Sequence, residues 1–538
     1  MKKVMISSYF NRVFFLFCLS ILTNCANRGR PSGGPKDETP PEIIKSSPEN
    51  FNLNFDSDEI TIQFNEFIKI KNLEKNLIIS PPMDPKPTII PLGSASKSMT
   101  IKINDTLLPN TTYSLNFGES IVDNNEENPY PFYKYVFSTG DYIDSLKIKG
   151  TVKDALNRKP DEFISVFLYE RDSSFTDSII YKEKPRYVTS TLDTTNTFNL
   201  SNLKEGTYLL VALKDENGNY TFEPKSDKVG FIEKSIEIPG DSIFDITLFK
   251  EELDFKPLRA SFIAGQKIAF GYKGNADKMK IELLSEVKNH KTRVTKDAEK
   301  DSLYYWYKPK IEADSLLFRV SQKKVSDTVT VRMRNLEKDS LVIKAIQSNT
   351  LLFTEDFEIE GTIPFSKIDT TKVELIDTDS LKVPYAYSFD KLENRYKFIF
   401  DKKENTNYNF TFYPGAVTDF FDNKNDTLSY KVRTKEYSDY GNIRVQLVNA
   451  KFPIILQLVT TKEEVYRELY VTENKPIDFV HLESGTYFIR AIFDKNKNGK
   501  YDPGNYLLKR KPERVSYSSE PQEVRSNFDF IVTFTLED

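Results

Sequence analysis

The richest set of potential metal ligands in this sequence begins at Asp494. Counted from Asp494 as position 1, side-chain oxygens stand at positions 1, 3, 5 and 9, and a backbone carbonyl is available at position 7. Gly499 occupies position 6, where a sharp turn requires a positive φ. This pattern is that of a calcium loop and predicts a structural calcium ion. Its ligands would be Asp494, Asn496, Asn498, Lys500, Asp502 and Asn505.

Two features predict that this loop binds calcium weakly. Position 12 holds Asn505 in place of an acid that binds through two oxygens, and only two of the ligands carry a negative charge. We therefore expect a Kd of about 10⁻⁴–10⁻³ M. The alternative is a polar turn without an ion, because Asn-Gly is itself a turn signal. A similar loop with Asp215, Asn217 and Asn219 lacks glycine at position 6, so a plain turn is favoured there over a weak calcium site.

A second pattern is Asp, then Ser or Thr, then an aliphatic residue or Thr, and it occurs twelve times. Average composition would produce roughly three such tripeptides. The motif is similar to an O-glycan acceptor of exported bacterial proteins. The alternative is that Asp-Ser starts a turn and the aliphatic residue starts a strand, and both can hold at one position. The hydroxyl groups belong to Thr106, Ser145, Ser178, Thr194, Ser242, Ser302, Ser315, Thr328, Ser340, Thr370, Ser380 and Thr427.

Few residues of this chain can serve as catalytic nucleophiles or bases. Its two Cys and two His exclude a disulfide framework, a Cys/His zinc site and most His-based catalysis. No Gly-x-Ser-x-Gly, Walker or His-Glu-x-x-His pattern occurs. We therefore expect no enzyme activity. A hydrolase with an unrecognised carboxylate pair is less favoured than a scaffold protein or a glycan-binding protein. The net charge of −4 argues against nucleic acid as a partner.

One aromatic run could form a platform on which sugar rings stack. It reads Tyr304–Tyr305–Trp306–Tyr307, and because strand side chains alternate between faces, at most half of it can lie on one face. For Trp306 the sequence favours a place in the core of a β-sandwich over exposure to a sugar.

The first 24 residues predict an export signal. Three basic residues flank or precede the ten-residue apolar run 13–22, which is too short to span a bilayer. The run leads into Leu22–Thr23–Asn24–Cys25, which resembles a bacterial lipobox, although Asn24 departs from the usual small residue before the Cys. We therefore predict cleavage before Cys25 and a multi-chain lipid anchor on it.

The elements that would position these residues are β-strands. Turn residues separate short runs of alternating apolar side chains, and no long helical pattern is present, which is typical of antiparallel sandwiches. The sequence predicts an all-β fold: a linear array of about five antiparallel β-sandwich modules (Ig-like and prealbumin-like) that follows a lipid-anchored tether beginning at Cys25. Alternating triplets include Ile60, Ile62 and Phe64, then Met99, Ile101 and Ile103, and then Tyr113, Leu115 and Phe117.

Two self-similarities indicate duplication. Asn110–Thr111–Thr112–Tyr113 recurs as Asn405–Thr406–Asn407–Tyr408 at an offset of 295, and Gly206–Thr207–Tyr208 recurs as Gly485–Thr486–Tyr487 at an offset of 279. A pair of different β modules therefore occurs twice, with a fifth β segment between the copies. Modules duplicated in a line suggest an elongated rod.

Several sequence segments resemble those of two bacterial domain families. The first module resembles the bacterial Ig-like domain of surface lipoproteins in Pro40–Pro41–Glu42–Ile43, Ile79–Ser80–Pro81–Pro82 and Phe137–Ser138–Thr139–Gly140. The second and last modules resemble prealbumin-like (carboxypeptidase-regulatory-like) domains, chiefly in Gly150–Thr151–Val152 and in Arg490–Ala491–Ile492 through Arg525–Ser526–Asn527–Phe528. The predicted organisation is a lipoprotein signal peptide at 1–24, a flexible tether at 25–40, an Ig-like domain at 41–141, a prealbumin-like domain at 142–252, a β-sandwich domain at 253–345, an Ig-like domain at 346–436 and a prealbumin-like domain with the calcium-type loop at 437–538.

The resemblance implies a lipoprotein of the outer membrane, often facing the cell surface, and no particular activity. We expect a non-catalytic binding or scaffold subunit for another envelope protein, with a β-barrel assembly or secretion machine as one setting. The alternative is a surface lipoprotein that binds glycans or mediates adhesion.

Replacing Cys25 by Ala should leave the protein soluble in the periplasm, because no later apolar stretch is long enough to cross a membrane. Cell fractionation measures this, and Cys18→Ala is the matched control that should stay with the outer membrane. Sedimentation of the Cys25→Ala protein with outer membranes after a high-salt wash and release from protein partners would contradict the predicted anchor.

Overall fold

The computed structural model describes residues 37–191 and 195–536, so Cys25 and Thr194 lie outside the described residues. Nearly all regular structure in these ranges is β-strand, which confirms the predicted all-β class. The chain divides after Ile143 into two compact units. In the described ranges no helix has the length and apolar character that crossing a bilayer requires.

The first unit contains the first module. Its strands and one short helix are β1 (Ile43–Ser47), β2 (Glu59–Ile70), α1 (Leu73–Asn76), β3 (Ile78–Ser80), β4 (Thr88–Ile90), β5 (Ser96–Lys102), β6 (Thr112–Asn116), β7 (Ile121–Asp123) and β8 (Lys134–Ser138). One sheet has the order β1-β2-β5-β4, with β7 also on β2, and the other has the order β3-β6-β8. Ile60, Ile62 and Phe64 alternate along β2 and enter the core of this sandwich.

The second module begins the second unit. Its strands are β9 (Leu146–Asp154), β10 (Ser165–Glu170), β11 (Tyr187–Ser190), β12 (Thr197–Leu203), β13 (Gly206–Lys214), β14 (Lys228–Phe231), β15 (Ile236–Ile238) and β16 (Ile243–Leu248), with a 3-10 turn at Ile179–Tyr181. A three-stranded sheet, β12-β9-β16, lies against the core opposite a five-stranded sheet, β11-β10-β13-β14 with β15 also on β13. Strand β16 runs parallel to β9.

The third module has two antiparallel sheets. Its strands are β17 (Lys256–Ala264), β18 (Lys267–Lys273), β19 (Lys280–Leu283), β20 (Lys291–Lys296), β21 (Ser302–Lys308), β22 (Ser315–Gln322) and β23 (Val325–Arg332). The sheet orders are β17-β18-β21-β20 and β19-β22-β23.

The fourth module follows. Its strands are β24 (Ile343–Ala345), β25 (Asn349–Thr350), β26 (Phe357–Gly361), β27 (Phe365–Ile368), β28 (Val373–Ile376), β29 (Ala386–Asp390), β30 (Arg395–Ile399), β31 (Asn407–Phe412), β32 (Val417–Asp419) and β33 (Leu428–Arg433), with a 3-10 turn at Thr370–Lys372. The main sheets are β24-β26-β30-β29 and β25-β33-β31-β28, and β27 pairs with β32. Because β24 belongs to this module, the predicted boundary between residues 345 and 346 is too late, and the third module ends before Ile343.

The fifth module completes the second unit. After a 3-10 turn at Tyr437–Asp439, its strands are β34 (Gly441–Val448), β35 (Ile454–Thr460), β36 (Val465–Val471), β37 (Ile477–Leu482), β38 (Gly485–Phe493), β39 (Val515–Tyr517), β40 (Gln522–Val524) and β41 (Asp529–Thr535). The order β37-β34-β41 repeats β12-β9-β16, and β36-β35-β38-β39 with β40 on β38 repeats the five-stranded sheet of the second module. Strand β41 is parallel to β34, as β16 is to β9.

The first and fourth modules, which form the other repeated pair, also share a topology. The residues that they have in common build the same local structure. Asn110 and Asn405 adopt left-handed φ values of 48° and 49°, which asparagine tolerates well. The hydroxyl oxygen of Tyr113 accepts the backbone N–H five residues before it at 2.9 Å, and that of Tyr408 does the same at 2.7 Å. Both repeats therefore build the same corner before the strands β6 and β31.

The five-stranded sheets of the second and fifth modules are buried on both faces. Along β13, Tyr208, Leu210 and Ala212 enter the core of the module, yet Leu209 and Val211 on the opposite face are also buried. Strand β38 has the same property. A strand buried on both faces carries a continuous apolar run instead of alternation, so something outside each sandwich must cover the second face.

The second and fifth modules each cover part of the outer face of the other's five-stranded sheet. Tyr506, in the loop between β38 and β39, is fully buried, and its ring centroid lies 5.3 Å from that of Phe231 and 6.3 Å from that of Tyr181 in the second module. Its backbone N–H donates to Oε1 of Glu251 at 2.5 Å. One aromatic side chain of the fifth module is thus packed among those of the second.

Contacts in the reverse direction reach β38 and β39. The carbonyl oxygen of Leu156 accepts hydrogen bonds from Arg490 Nη1 at 3.2 Å and from Tyr517 Oη at 2.7 Å. The guanidinium carbon of Arg158 lies 4.1 Å from the ring centroid of Phe488. The modules follow one another linearly along the chain, but the second and fifth pack together, so the elongated rod suggested by the duplication is wrong for residues 144–538.

Tyr506→Ala should lower the free energy of unfolding of the whole chain by about 3–5 kcal/mol, the usual cost of truncating a buried aromatic ring. Tyr506→Phe is the matched control. The Tyr506 hydroxyl is buried and has no hydrogen-bond partner among the described residues, so its removal should be neutral or stabilising. Guanidinium chloride denaturation measures both. A loss for Tyr506→Ala no larger than that for exposed Leu508→Ala would show that the contact between the modules is not stabilising.

Candidate functional site

The predicted calcium loop lies between β38 and β39, directly before Tyr506. Asp494 is buried at its start, with Oδ1 accepting the N–H of Asn498 at 3.1 Å and Oδ2 accepting the N–H of Gly499 at 2.8 Å. Gly499 has the positive φ, +71°, that the sequence predicted for position 6. Burial opposes ionisation of Asp494, but hydrogen bonds from Gly499, Tyr470 and Asn498 outweigh it and lower its pKa. The first predicted ligand is therefore held as a carboxylate.

The second acid of the loop, Asp502, is held by side-chain amides. Its Oδ2 accepts hydrogen bonds from the Nδ2 groups of Asn496 and of Asn498, the latter at 2.8 Å. In this arrangement amide N–H groups satisfy the carboxylate. A cation would instead need both amides to turn so that their Oδ1 atoms faced it. The loop can therefore be closed by amide hydrogen bonds or by a cation, but not by both at once.

The structure adds an acid that the twelve-residue pattern did not include. Glu513 accepts the N–H of Lys495 at 2.8 Å and the N–H of Asp502 at 3.1 Å, and so joins the two ends of the loop. Burial raises the pKa of Glu513, and the nearby carboxylates raise it further. Glu513 follows the loop in the sequence and is too far from Asp494 to belong to the twelve-residue pattern.

The side chains of two residues in the predicted set point to other partners. The Oδ1 atom of Asn505 accepts the N–H of Leu508 at 2.8 Å, so this side chain stabilises the following turn. The ammonium group of Lys500 forms an exposed ion pair with Asp277 at 3.2 Å, and only its backbone carbonyl was proposed as a ligand. Among the described residues no three or more His, Cys, Asp and Glu side chains are grouped so as to hold a metal ion, and calcium stays a prediction.

The sister loop has the same arrangement. Asp215 accepts the N–H groups of Gly218 and Tyr220, each at 2.8 Å. The Nδ2 groups of Asn217 and Asn219 donate to Glu223 at 3.1 and 2.8 Å. Burial raises the pKa of Asp215, whereas that of Asp494 is lowered. The protein thus favours the charged form of the first acid more in the C-terminal loop than in its sister, and calcium at either loop stays a prediction.

The predicted glycan acceptors differ in exposure. Ser302 is buried and its Oγ donates to Asp297 Oδ2 at 2.9 Å, so its prediction as an accessible acceptor is wrong. Ser178 is half-buried. In three of the tripeptides the third residue is the first residue of a strand, namely β9, β16 or β33. This fits the alternative of a turn followed by a strand. The exposed acceptors are Thr106, Ser145, Ser242, Ser315, Thr328, Ser340, Thr370, Ser380 and Thr427.

The aromatic run in β21 is divided between two faces, as alternation requires. Tyr305 and Tyr307 enter the core of the third module. Trp306 is also buried, but it packs against Ile363 and Phe420 of the fourth module, and its Nε1 donates to Thr295 Oγ1 at 2.9 Å. The prediction of burial is right, but the expected place in a sandwich core is wrong, because Trp306 fills the contact between two modules.

The same contact borders a cleft of about 670 Å³ that contains several acidic side chains. Asp297 accepts from the hydroxyls of Tyr304 and Ser302, at 2.6 and 2.9 Å. Lys267 pairs with Asp339 at 2.9 Å. Each of these carboxylates thus has a partner that stabilises its charged form, which is unsuited to a general acid with a raised pKa.

Two comparisons with known sequences bear on these observations. The family described as the bacterial Ig-like domain matches residues 37–139, which confirms the Ig-like domain predicted for the first module. No curated protein sequence matches the chain.

Several solved structures are similar to this chain, at low identity and low TM-score. Domains 1–6 of the surface layer protein SbsC are 10% identical, over 90% of this chain and 67% of that chain, with a TM-score of 0.16. The TIE protein of Bacillus anthracis is 10% identical, over 94% of this chain and 76% of that chain, with a TM-score of 0.15. The I9–I11 tandem of titin is 8% identical, over 52% of this chain and 100% of that chain, with a TM-score of 0.13. At such TM-scores these structures do not indicate a shared function.

Calcium at about 10 mM should stabilise the whole chain by about 1.4–2.7 kcal/mol if Kd is about 10⁻⁴–10⁻³ M. Thermal unfolding in calcium, in the same concentration of magnesium and in a chelator measures this. Asp494→Ala should abolish the calcium-dependent rise in Tm, whereas Asn505→Ala should retain it because Asn505 faces the next turn. Equal Tm values for the parent in calcium and chelator would favour the polar turn.

If the exposed tripeptides are glycosylated, the native protein should be heavier than lipid plus polypeptide in intact-mass analysis. Replacing Thr328 or Thr427 by Ala should each remove one discrete increment, because both hydroxyls are exposed. Ser302→Ala is the control that should remove none. A native mass equal to lipid plus polypeptide would rule out glycosylation.

Proposed function

We propose that this chain is a non-catalytic binding or scaffold subunit at the bacterial cell surface, held at the outer membrane by lipid on Cys25. Its partner is another envelope protein, and a β-barrel assembly or secretion machine is the setting that we favour. The observation that carries this proposal is the bacterial Ig-like domain at residues 37–139, directly after the predicted tether.

The side-chain chemistry supports a role without catalysis. The carboxylates Asp297 and Asp339 of the cleft beside Trp306 are paired, and those of the two polar loops accept backbone and amide N–H groups. His481 is stacked among aromatic rings, with its ring centroid 4.9 Å from that of Phe353, and burial lowers its pKa. Hydrogen bonds or an ion pair hold these carboxylates, and aromatic rings pack around His481.

The packing of the second unit supports a scaffold. The second and fifth modules bury each other's sheets, and Trp306 joins the third module to the fourth through Ile363 and Phe420. Contacts of this kind fix one module relative to the next, because buried aromatic rings occupy one packed arrangement. A rigid set of modules can present a partner with a constant surface.

The glycan-binding alternative loses its main support. It required an exposed aromatic strip around Trp306, and that side chain is buried under the fourth module. Lys267 lies 4.3 Å from the ring centroid of Tyr304, which further occupies that face.

Co-purification of the C-terminally tagged chain from mild-detergent membranes tests the proposal. We expect one envelope protein in a fixed ratio to the tagged chain. The tagged Cys25→Ala protein, purified from the soluble fraction and mixed with detergent-solubilised membranes, is the control for capture after lysis. Recovery of no protein above an untagged control would contradict the scaffold role.

A further inference from the structure

Strand β41 lies at one end of the three-stranded sheet of the fifth module, where it pairs in parallel with β34. The N–H of Asn442 donates to the carbonyl of Phe528 at 3.0 Å. The N–H of Leu536 donates to the carbonyl of Val448 at 2.9 Å. Even-numbered residues of β41 therefore direct their backbone groups to β34. Residues 529, 531, 533 and 535 direct theirs outward, because consecutive residues of a strand alternate.

The corresponding edge of the second module is closed, whereas that of the fifth is open. In the second module, Val229 of β14 and Phe249, directly after β16, exchange two backbone hydrogen bonds at 2.8 and 2.9 Å. No described residue pairs its backbone with the outer edge of β41. A groove of about 410 Å³ opens beside this edge and is lined in part by Val524, Phe528 and Phe530.

The composition of β41 does not oppose pairing with another strand. Asp529, its first residue, carries the one charge of the strand, and the strand contains no Pro. The Oδ1 atom of Asp529 accepts a hydrogen bond from Asn442 Nδ2 at 2.7 Å, within the same sheet. By contrast, β16 contains Asp245, and β37 at the opposite edge of the sheet contains Asp478. Charges and proline are the usual means by which exposed edges avoid association, and residues 530–535 contain neither.

Apolar side chains stand at this edge on both faces of the sheet. Ile531 is 70% exposed on the outer face, and Phe528, just before the strand, is 57% exposed. On the core face Phe530 and Val532 are only half-buried, whereas Phe534 is buried. A strand added at this edge would cover part of this apolar surface and pair with the outward backbone groups.

We infer that two copies of this chain associate through β41, paired antiparallel about a two-fold axis at Val532. Val532 is the middle of the seven residues, so this register pairs the strand over its full length. The residues that then lie opposite each other, one from each copy, are Asp529 and Thr535, Phe530 and Phe534, and Ile531 and Thr533.

This arrangement makes β41 complementary to itself. No two like charges are opposed, and apolar side chains meet on both faces of the joined sheet. The four outward residues of each copy exchange about eight backbone hydrogen bonds in all. A two-fold contact of this kind leaves no open edge, which is why the strand that fits here is that of a second copy. The inference goes beyond the proposed function, which concerns a different protein as partner.

A single cysteine at the predicted axis tests the pairing and its register. In a chain whose Cys18 and Cys25 are both replaced by Ala, Val532→Cys introduces the only thiol. The two copies of residue 532 would form a pair without mutual hydrogen bonds, with Cα atoms about 4.5 Å apart, so mild oxidation should join them by a disulfide. Non-reducing electrophoresis of the chain purified in mild detergent measures the rate.

Thr533→Cys in the same background is the matched control. The two copies of residue 533 would be diagonal neighbours, too far apart for an unstrained disulfide, so cross-linking should be about tenfold slower or more. Thr533 is the more exposed of the two residues, so random collisions would favour the opposite order.

Sedimentation of the Cys25→Ala chain over a series of concentrations measures the association itself. Ile531→Lys should raise the dissociation constant of the dimer by about tenfold or more, because the two added charges would be diagonal neighbours at the edge. Val480→Lys should leave the constant unchanged, because Val480 is 44% exposed in β37, at the opposite edge of the same sheet. Tm values report whether both variants fold.

The outcomes either support the pairing or overturn it. A monomer at every concentration, or cross-linking at residue 532 no faster than at residue 533, would overturn it. A dimer that Ile531→Lys leaves intact would overturn the assignment to β41. Loss of the dimer with Ile531→Lys but not with Val480→Lys, together with faster cross-linking at residue 532, supports it. Co-purification of an envelope partner tests the proposed function separately, because that partner is a different protein.

Discussion

The arrangement of residues 144–538 depends on the burial of one sheet from both sides in each of two duplicated modules. Strands β13 and β38 carry apolar side chains at successive positions, and a two-layer sandwich covers only one of their faces. Exposing the second face to water would lose the transfer free energy of several large side chains, at roughly 25 cal/mol per Å². The second and fifth modules reduce that loss by covering parts of each other, and the third and fourth modules lie between them along the chain.

The loop between β38 and β39 connects the candidate cation chemistry to this packing. It carries Asp494 and Asp502 at one end and Tyr506 at the other, so its conformation affects both. Gly504 lies between them, and a Cβ atom there would stand 2.5 Å from the ring of Phe249 in the second module. A larger residue would require the ring of Phe249 or the loop itself to move. A cation that fixed the loop would therefore also fix the position of the aromatic side chain that joins the modules.

Buried polar side chains of the described residues differ in how fully they are hydrogen-bonded. In the two polar loops, Asp494 and Asp215 each accept backbone N–H groups, which suits a structural role. In the third module, Gln266 Oε1 is buried and accepts no hydrogen bond from any residue that the structure describes, which lowers stability.

Local patterns in the sequence determined the all-β class and most of the strands. Alternation along β2 specifies which side chains enter the first core, and the repeated Asn and Tyr at offset 295 specify the same corner twice, because these effects act within a few residues. The continuous apolar run of β13 departs from the alternation that the sequence analysis predicted for the strands. Only the tertiary structure decided which module covers the outer faces of β13 and β38 and where Trp306 lies between modules. It also decided that β24 pairs with the fourth module and that Glu513 lies across the polar loop. Each joins residues that are far apart in sequence or lie in different modules, and apolar or acidic character alone does not specify which distant surface a side chain meets.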